Sequence, residues 1–403
     1  MQASSDRTRR GPPPVRREQI EAELRAKLAR GQFPPGGPLP SRNALVQQYG
    51  TSKETVQLIM RALEADGFIV SRGRAGTIVN PDPPFRKRYA LLFPHKPGDP
   101  MHWTLFSEGI RQQAETFGAG DDGVIAPYYD MELGVSADYR RLVEDITHYR
   151  LAGLIYSVLY APHELLPLAR THGLPAVALA SDAQYGFMGG AHGESELATH
   201  VVFSHRSFFR AALGRLVAAG RRRPALLMTP GMMPFMETNV LREAARLGLD
   251  VRPHRVQYAP AEQPVMARNI VHAIMLRENA GAPDALVVAD DNLLPHALLG
   301  LQDAGVRIGE DADVIAHANF PLPTAELNSP VVRIGFDLRA ALEQTVRLAR
   351  QWRETGHRPG PVAVRAEEGG GKVSGVGSPA SAIEATAGKQ VSGAEAASLN
   401  LSP

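Results

Sequence analysis

Residues 31–77 read GQFPPGGPLPSRNALVQQYGTSKETVQLIMRALEADGFIVSRGRAGT, and the rest of the chain is read outward from them. From Val56, apolar residues recur at Ile59, Met60 and Leu63, a spacing that predicts a helix with one buried stripe. Thr51 stands three residues before Glu54, a capping-box spacing that predicts where this helix starts. Its exposed first turns carry Ser52, Lys53, Glu54, Thr55 and Gln57. Upstream, Ser41 ahead of Ala44-Leu45-Val46 predicts a second short helix, with Gly50 closing the turn between the two. After Gly67, the runs Phe68-Ile69-Val70 and Thr77-Ile78-Val79 flank Arg72-Gly73-Arg74-Ala75-Gly76, which predicts two strands joined by a basic loop. Helix, turn, helix and basic ribbon make the layout of a winged helix-turn-helix. Such a unit lays its second helix in the major groove of DNA and its wing near the backbone or minor groove.

Charge supports a polyanion as the partner of this end alone. The chain has 403 residues and a formal net charge of only +2. Residues 1–88 hold 16 Lys/Arg against 8 Asp/Glu, while the remainder holds 28 against 34. A basic head on an acidic body is the expected distribution for nucleic-acid binding by the head. Residues 1–14, with Arg7, Arg9, Arg10 and three consecutive prolines, read as a disordered basic arm. Cysteine is absent, which excludes a disulfide framework and suits the cytoplasm. No secretory leader and no bilayer-spanning apolar run is visible, so no membrane partner is expected.

After a proline-stiffened linker at 81–88 the grammar changes. Strand-like runs at 89–93, 124–128, 153–159 and 175–180 alternate with helical stretches at 103–117, 137–149 and 162–171. A second series starts near Val201, with strands at 225–228, 251–256, 285–289, 314–316 and 331–336. Its helices are expected at 208–219, 235–247, 265–278 and 293–304. Two such series imply an α/β body of two lobes with parallel sheets covered on both faces. A ligand would sit beyond the carboxyl ends of the strands, in the cleft between lobes. Residues 367–403, rich in Gly, Ser and Ala without an aromatic, read as a disordered tail.

The landmarks of the head resemble the GntR-type bacterial transcription regulators. The resemblance is carried by a first helix at 20–28, Gly31…Pro35-Gly36, Leu39-Pro40-Ser41, Ser52…Thr55-Val56, Gly67 and Gly76-Thr77-Ile78-Val79. It implies DNA contacts from Ser41, Arg42, Asn43, Ser52, Lys53, Thr55, Gln57, Arg72, Arg74 and Gly76. Asn43, Lys53 and Gln57 stand where family members often carry Arg. Lys cannot grip a guanine edge bidentately as Arg does, so an unusual base preference is implied.

The body resembles the periplasmic-binding-protein-like effector domain of the LacI-type repressors. The residues that carry this are Val201-Val202-Phe203-Ser204 with Ala212, Leu216 and Gly220-Arg221; residues 285–292, ALVVADDN; and Leu301…Gly305-Val306-Arg307-Ile308-Gly309 with Asp313-Val314-Ile315. Gly109-Ile110 places His102 and Trp103 where that family has two aromatics near its ligand. By this resemblance Asp290, Asn319, Trp103 and His102 are ligand-binding candidates, and Met236 occupies the position of the sugar-gripping Arg. The family's Asp pair falls on Ala318 and Asn319, and its second-lobe Asp and Gly on Ser204 and Phe208. Each candidate also has a structural reading: Trp103 as core, Asp290 as the cap of the helix starting near Leu293.

Enzyme classes find little footing. There is no H-E-x-x-H among the 13 histidines, and no tight pair at metal-ligand spacing, so no metal and no cofactor is expected. A G-x-S-x-G elbow and a phosphate-cradling P-loop are absent, and a thiol nucleophile is excluded. The expected organisation is an arm at 1–14, a winged helix at 15–80, a linker at 81–88, a two-lobed effector and dimerisation domain at 89–366, and a tail at 367–403. The expected function is that of a cytoplasmic homodimeric regulator that binds a double-stranded operator under control of a small-molecule effector, a sugar or sugar derivative. A body that only dimerises and takes no ligand is the competing expectation.

Overall fold

A computed structural model describes residues 17–369, apart from 74–75, 100, 119–122, 133, 158–164, 184–197, 236–238, 277–280 and 322–329. Arg74, Met236, the arm and the residues from 370 onward therefore lie outside the described residues.

The head has three helices, α1 (Arg17–Ala29), α2 (Arg42–Tyr49) and α3 (Lys53–Ala65), and a ribbon of β1 (Ile69–Ser71) and β2 (Thr77–Val79). Helix α2 begins at Ser41, whose hydroxyl accepts from the Ala44 amide, and ends at Gly50 in the left-handed region (φ 59°). The capping-box spacing predicts the α3 cap at Thr51 with Glu54; the structure shifts it by one, since Ser52 Oγ accepts from the Thr55 amide at 3.1 Å. The hydroxyls of Ser52 and Thr55 are also 3.2 Å apart, so the pair closes on itself. Val56, Ile59, Met60 and Leu63 pack with Ile20, Leu24 and Leu28 of α1 and with Phe68 and Val79 of the ribbon. Burying that stripe is what holds a domain of this size together, at about 25 cal/mol per Å² of apolar surface removed from water.

The body has two six-stranded sheets. Further strands are β3 (Arg88–Leu92), β4 (Val124–Tyr128), β5 (Gly153–Tyr156), β6 (Ala176–Ser181), β7 (Thr199–Ser204), β8 (Pro224–Met228), β9 (Val256–Tyr258), β10 (Ala285–Val288), β11 (Asp313–Phe320), β12 (Val331–Asp337), β13 (Val362–Arg365) and β14 (Glu367–Glu368). The first lobe runs β13-β7-β6-β5-β3-β4, all parallel. The second runs β14-β12-β11-β10-β8-β9, parallel except for the edge pair β12–β14. Their inner strands are apolar on both faces, as in residues 285–288, where every side chain is buried. The chain crosses between lobes after Ser204, after Asp337 and between Arg365 and Glu367. Among the described residues, no helix is long and apolar enough to cross a membrane.

Several sequence expectations are corrected. Strand β7 completes the first sheet instead of opening the second. The strand expected at 251–256 lies at Val256–Tyr258, because Pro253 starts a 3-10 turn over Pro253–Arg255. The helix expected at 235–247 is seen at Met233–Phe235 and Leu241–Arg246, and residues 236–238 lie outside the described residues. The longest described helix, Leu338–Thr355, has no counterpart among the sequence expectations. It follows the second lobe's β12 yet packs on helix Leu105–Glu115 and on β6 and β7 of the first, so it ties the lobes together.

Gly300 marks a close helix crossing. A Cβ there would lie 2.4 Å from Arg268 O and 2.9 Å from Val271 Cβ, across the contact of helices Leu294–Asp303 and Val265–Met275. Gly300→Ala is expected to destabilise the protein by about 1–3 kcal/mol, the usual cost of overpacking. An unchanged urea midpoint would contradict this packing.

Candidate functional site

Two surfaces follow from this fold. On the head, the start of α3 and the turn of the ribbon face outward. Ser41, Arg42, Asn43, Ser52 and Lys53 are exposed, while Thr55 and Gln57 are half-buried. Arg72 and Gly76 are exposed at the ribbon turn, where Arg72 donates its amide to Gly76 O at 2.8 Å and Gly76 takes φ 90°. Arg42, Lys53 and Arg72 make no ion pair with a carboxylate among the described residues, so their charge is available to a partner. Ser52 and Thr55 are committed to capping, which orients their hydroxyls.

The second surface is the cleft between lobes, of about 240 Å³. It is lined from the first lobe by Thr104, Phe106, Ser157, Ser181 and Phe203. His205 stands at the crossover, and the second lobe adds Asp290, Asp291, Asn292, His317, Asn319 and Phe336. The carboxyl ends of β5, β6, β7, β10, β11 and β12 thus converge on one space. Asp290 caps the 3-10 turn Asp291–Leu293, its Oδ1 accepting from the Asn292 amide (2.9 Å) and from Asn292 Nδ2 (2.8 Å). Asn292 then reaches the other lobe: its Oδ1 accepts from the Leu105 amide at 3.0 Å, at the start of helix Leu105–Glu115. One lobe's acid is therefore linked to the other lobe's helix through a single side chain.

Deeper in the cleft, Asn319 Nδ2 donates to Asp291 Oδ2 at 2.7 Å, and His317 Nδ1 lies 4.0 Å from Asp291 Oδ1. Burial, reinforced by the charge of Asp290, raises the Asp291 carboxyl to about 7, and burial raises Asp290 as well. Burial also holds the imidazoles neutral: His317 is pushed down to about 3, and His205 is lowered despite the pull of Asp182. Asp182 is occupied elsewhere, accepting from Ser204 Oγ and the amides of His205 and Arg206. Three buried polar atoms lining the cleft have no hydrogen-bond partner: Ser157 Oγ, His317 Nε2 and Asn319 Oδ1. Buried polar atoms are normally paired, so such a concentration in one cavity points to a ligand.

Of the sequence candidates, Asp290 and Asn319 meet in this cleft. Trp103 does not line it; the indole packs on Phe93 (5.1 Å between centroids) and Tyr129, and its Nε1 donates to Glu108 Oε2 at 3.0 Å. The next residue, Thr104, does line it. His102 lies outside, its ring stacked on His95 at 4.2 Å and its Nδ1 3.4 Å from Asp99. His95, Asp99 and His102 thereby hold one ligand atom each within 4.8 Å of one another, a grouping that spacing alone does not reveal. The stacked rings present faces to each other, which is a poor arrangement for sharing an ion. Asp291, His205, His317 and Ser157 are likewise absent from the sequence candidates. The adjacent acids at the end of an apolar strand are a usable signal for Asp291.

A winged helix on a two-lobed α/β body is an architecture found in DNA-binding transcription regulators. Residues 16–79 match the family described as bacterial regulatory proteins, gntR family, and residues 213–364 match the periplasmic binding protein-like domain. The head thus matches a gntR-family domain, and residues 213–364 of the body a periplasmic binding protein-like domain. A curated relative, the HTH-type pyridoxine biosynthesis transcriptional regulator PdxR of Corynebacterium glutamicum, is 36% identical over 64 residues, 16% of this chain. The match spans only 14% of that relative's length. Among solved structures, a LacI-family regulatory protein from Chloroflexus aggregans shares 14% identity at a TM-score of 0.52, covering 70% of this chain and 96% of that one. The transcriptional regulator CelR–cellobiose complex shares 16% identity at 0.51, covering 86% and 97%. Identities this low show the fold alone.

Proposed function

We propose that this protein is a transcription regulator that binds operator DNA as a homodimer and whose affinity is set by a small molecule, a sugar or sugar derivative, held in the cleft. The observation that carries the reading is the way the head is fastened. Arg25 of α1 and Arg150 of the first lobe both grip Asp66 Oδ2, at 2.6 and 2.9 Å. Arg150 also reaches Asp145 Oδ1 at 3.2 Å. A lobe that moves therefore moves the head with it. Ligand closure would change the spacing of two paired heads, and ligand and DNA would then alter each other's affinity by equal factors. The orphaned polar atoms of the cleft favour this over a body that only dimerises. The sugar class draws support from the cellobiose bound by the structurally similar regulator.

In this reading Lys53, Gln57, Arg42, Asn43 and Arg72 face the duplex, with Ser52, Thr55, Ser41 and Gly76 beside them. Lys53→Ala is expected to weaken binding to a selected duplex and, if Lys53 holds phosphate, to lower the salt slope by about 1. Loss of sequence preference without that change would place Lys53 on a base instead. A variant that binds like the parent would remove it from the interface. The function itself is tested by selecting duplexes from a random pool with the full chain, then melting the protein against a sugar panel. A ligand at a hundred times its Kd stabilises the native state by about 2.7 kcal/mol. No enriched duplex would refute the reading.

A further inference from the structure

We propose that the cleft takes a cationic ligand, a small hydroxylated molecule bearing a protonated amine, such as an amino sugar, with its ammonium against Asp290 and Asp291. This deepens the reading above and rests on it for the location of the site. Charge comes first. Asp290 and Asp291 both line the cleft, and no Lys or Arg does among the described residues. Residues 158–164, 184–197, 236–238 and 322–329, which lie outside the described residues, contain no Lys or Arg in sequence. The histidines supply no positive charge either, since burial keeps them neutral. Two acids without a cation beside them repel an anion, and a phosphorylated or carboxylated sugar would find no counter-charge.

Hydrogen-bonding capacity points the same way. Asn319 turns its Nδ2 to Asp291, which leaves Oδ1, a pure acceptor, buried and unpaired toward the cavity. The opposite orientation would set an amide oxygen against a carboxylate oxygen. His317 Nε2 is unpaired as well, and it is an acceptor in the tautomer that carries the proton on Nδ1. Asp290 receives hydrogen bonds from Asn292 on Oδ1 alone. Ser157 Oγ, the third unpaired atom, can donate or accept, so two of the three call for a donor, and an ammonium supplies three. The rings of Phe106, Phe203 and Phe336, with successive centroids 5.4 and 5.1 Å apart, line the same space. At about 240 Å³ the space is smaller than the 300–1,000 Å³ typical of drug-sized ligands, so the ligand is of monosaccharide scale or below. Because Asn292 ties Asp290 to Leu105, a cation on Asp290 sits beside the bond that joins the lobes.

The test compares three matched sets on the full chain at pH 7, where hexosamines are mostly ammonium: glucosamine, galactosamine and mannosamine; the neutral parent hexoses; and the corresponding hexuronates. Calorimetric titration should find at least one amine that binds, and its neutral and anionic counterparts should bind at least ten-fold more weakly. Asp291→Asn should weaken that amine by roughly ten- to a hundred-fold, the effect of one charge-assisted bond. The amine's affinity should also fall as pH drops from 7 to 6, where the ammonium stays charged while Asp291 takes a proton in the company of Asp290, His205, His317, Asn319 and Asn292. Binding of a neutral hexose or a hexuronate as tightly as its amine, or binding by none of the amines, overturns the proposal. A neutral sugar that binds and changes DNA affinity would sink the cationic ligand and leave the regulator intact. An amine that binds without affecting DNA would do the reverse.

Discussion

Replacing Arg25 by alanine should lower stability by roughly 3 kcal/mol, the low end of the loss when one partner of a buried ion pair is removed. The guanidinium is only 1% exposed. It bonds Asp66 at 2.6 Å, Glu21 at 2.9 Å and His148 O at 3.4 Å, and it lies 4.9 Å above the Phe68 ring. Asp66 keeps Arg150, which is why the low end applies. The chain of charges continues through Asp145, which is buried and accepts from the Tyr128 hydroxyl at 2.5 Å and pairs with Arg88 at 3.2 Å. Arg25→Met fills the same space without a charge and should restore packing against Phe68 while leaving head and lobe unlinked. Urea melts read the stability, and proteolysis around Pro84–Lys87, where the extended linker expected at 81–88 is instead a short helix with Phe85 buried, reads the release of the head. If Arg25→Ala melts like the parent and its linker is cut no faster, the ionic chain does not hold the head to the lobe.

The second large effect concerns the acid pair. Asp291→Asn should stabilise the ligand-free protein at pH 8 by roughly a few kcal/mol and leave it nearly unchanged at pH 4. The sign follows from which state holds the proton more tightly. The Asp291 carboxyl is raised to about 7 in the folded protein by burial and by Asp290, against about 3.9 in an unfolded chain. Below pH 4 both states hold the proton and nothing is lost. Between 4 and 7 only the folded state holds it, so stability falls by ~1.4 kcal/mol for each pH unit of rise. Asn removes that loss and can still accept from Asn319. His317 is present in parent and variant, so its own contribution, which weakens as pH falls below about 6.5, cancels in the difference. Equal melting of parent and variant at pH 8 would show that Asp291 carries no such burden. A functional site held at a cost to stability is the physical meaning of a positive result.

These two predictions fall on features that the sequence displays unequally. The α3 stripe is legible because four apolar side chains at helical spacing answer to one local rule. Strand β10 is legible because Leu286, Val287 and Val288 form a short apolar run that ends at two acids. Strand β7 is assigned to the wrong lobe because sheet membership depends on which distant strand it meets, Ala180 beside Val202, and no local pattern encodes that. Helix Leu338–Thr355 has clear signals in Asp337 and Gly356, which cap it, yet it lies past the last landmark of the resemblance. In the cleft, Asp290 and Asn319 are found through family positions. His205, His317 and Ser157 matter only because three crossovers bring the two sheets' ends together, and nothing in their neighbours' spacing announces it. Trp103 illustrates the converse: adjacent in sequence to the cleft-lining Thr104, it turns to Phe93 and Glu108 instead.

Reciprocity between cleft and operator is the most direct test of the central claim. A duplex selected by the full chain is titrated with protein in the absence and presence of the small molecule that raises its melting midpoint, and that molecule is titrated with and without the duplex. The expected result is a change in DNA affinity matched by an equal factor in ligand affinity. A ligand that binds the cleft, stabilises the body and leaves the affinity for DNA unchanged would contradict it.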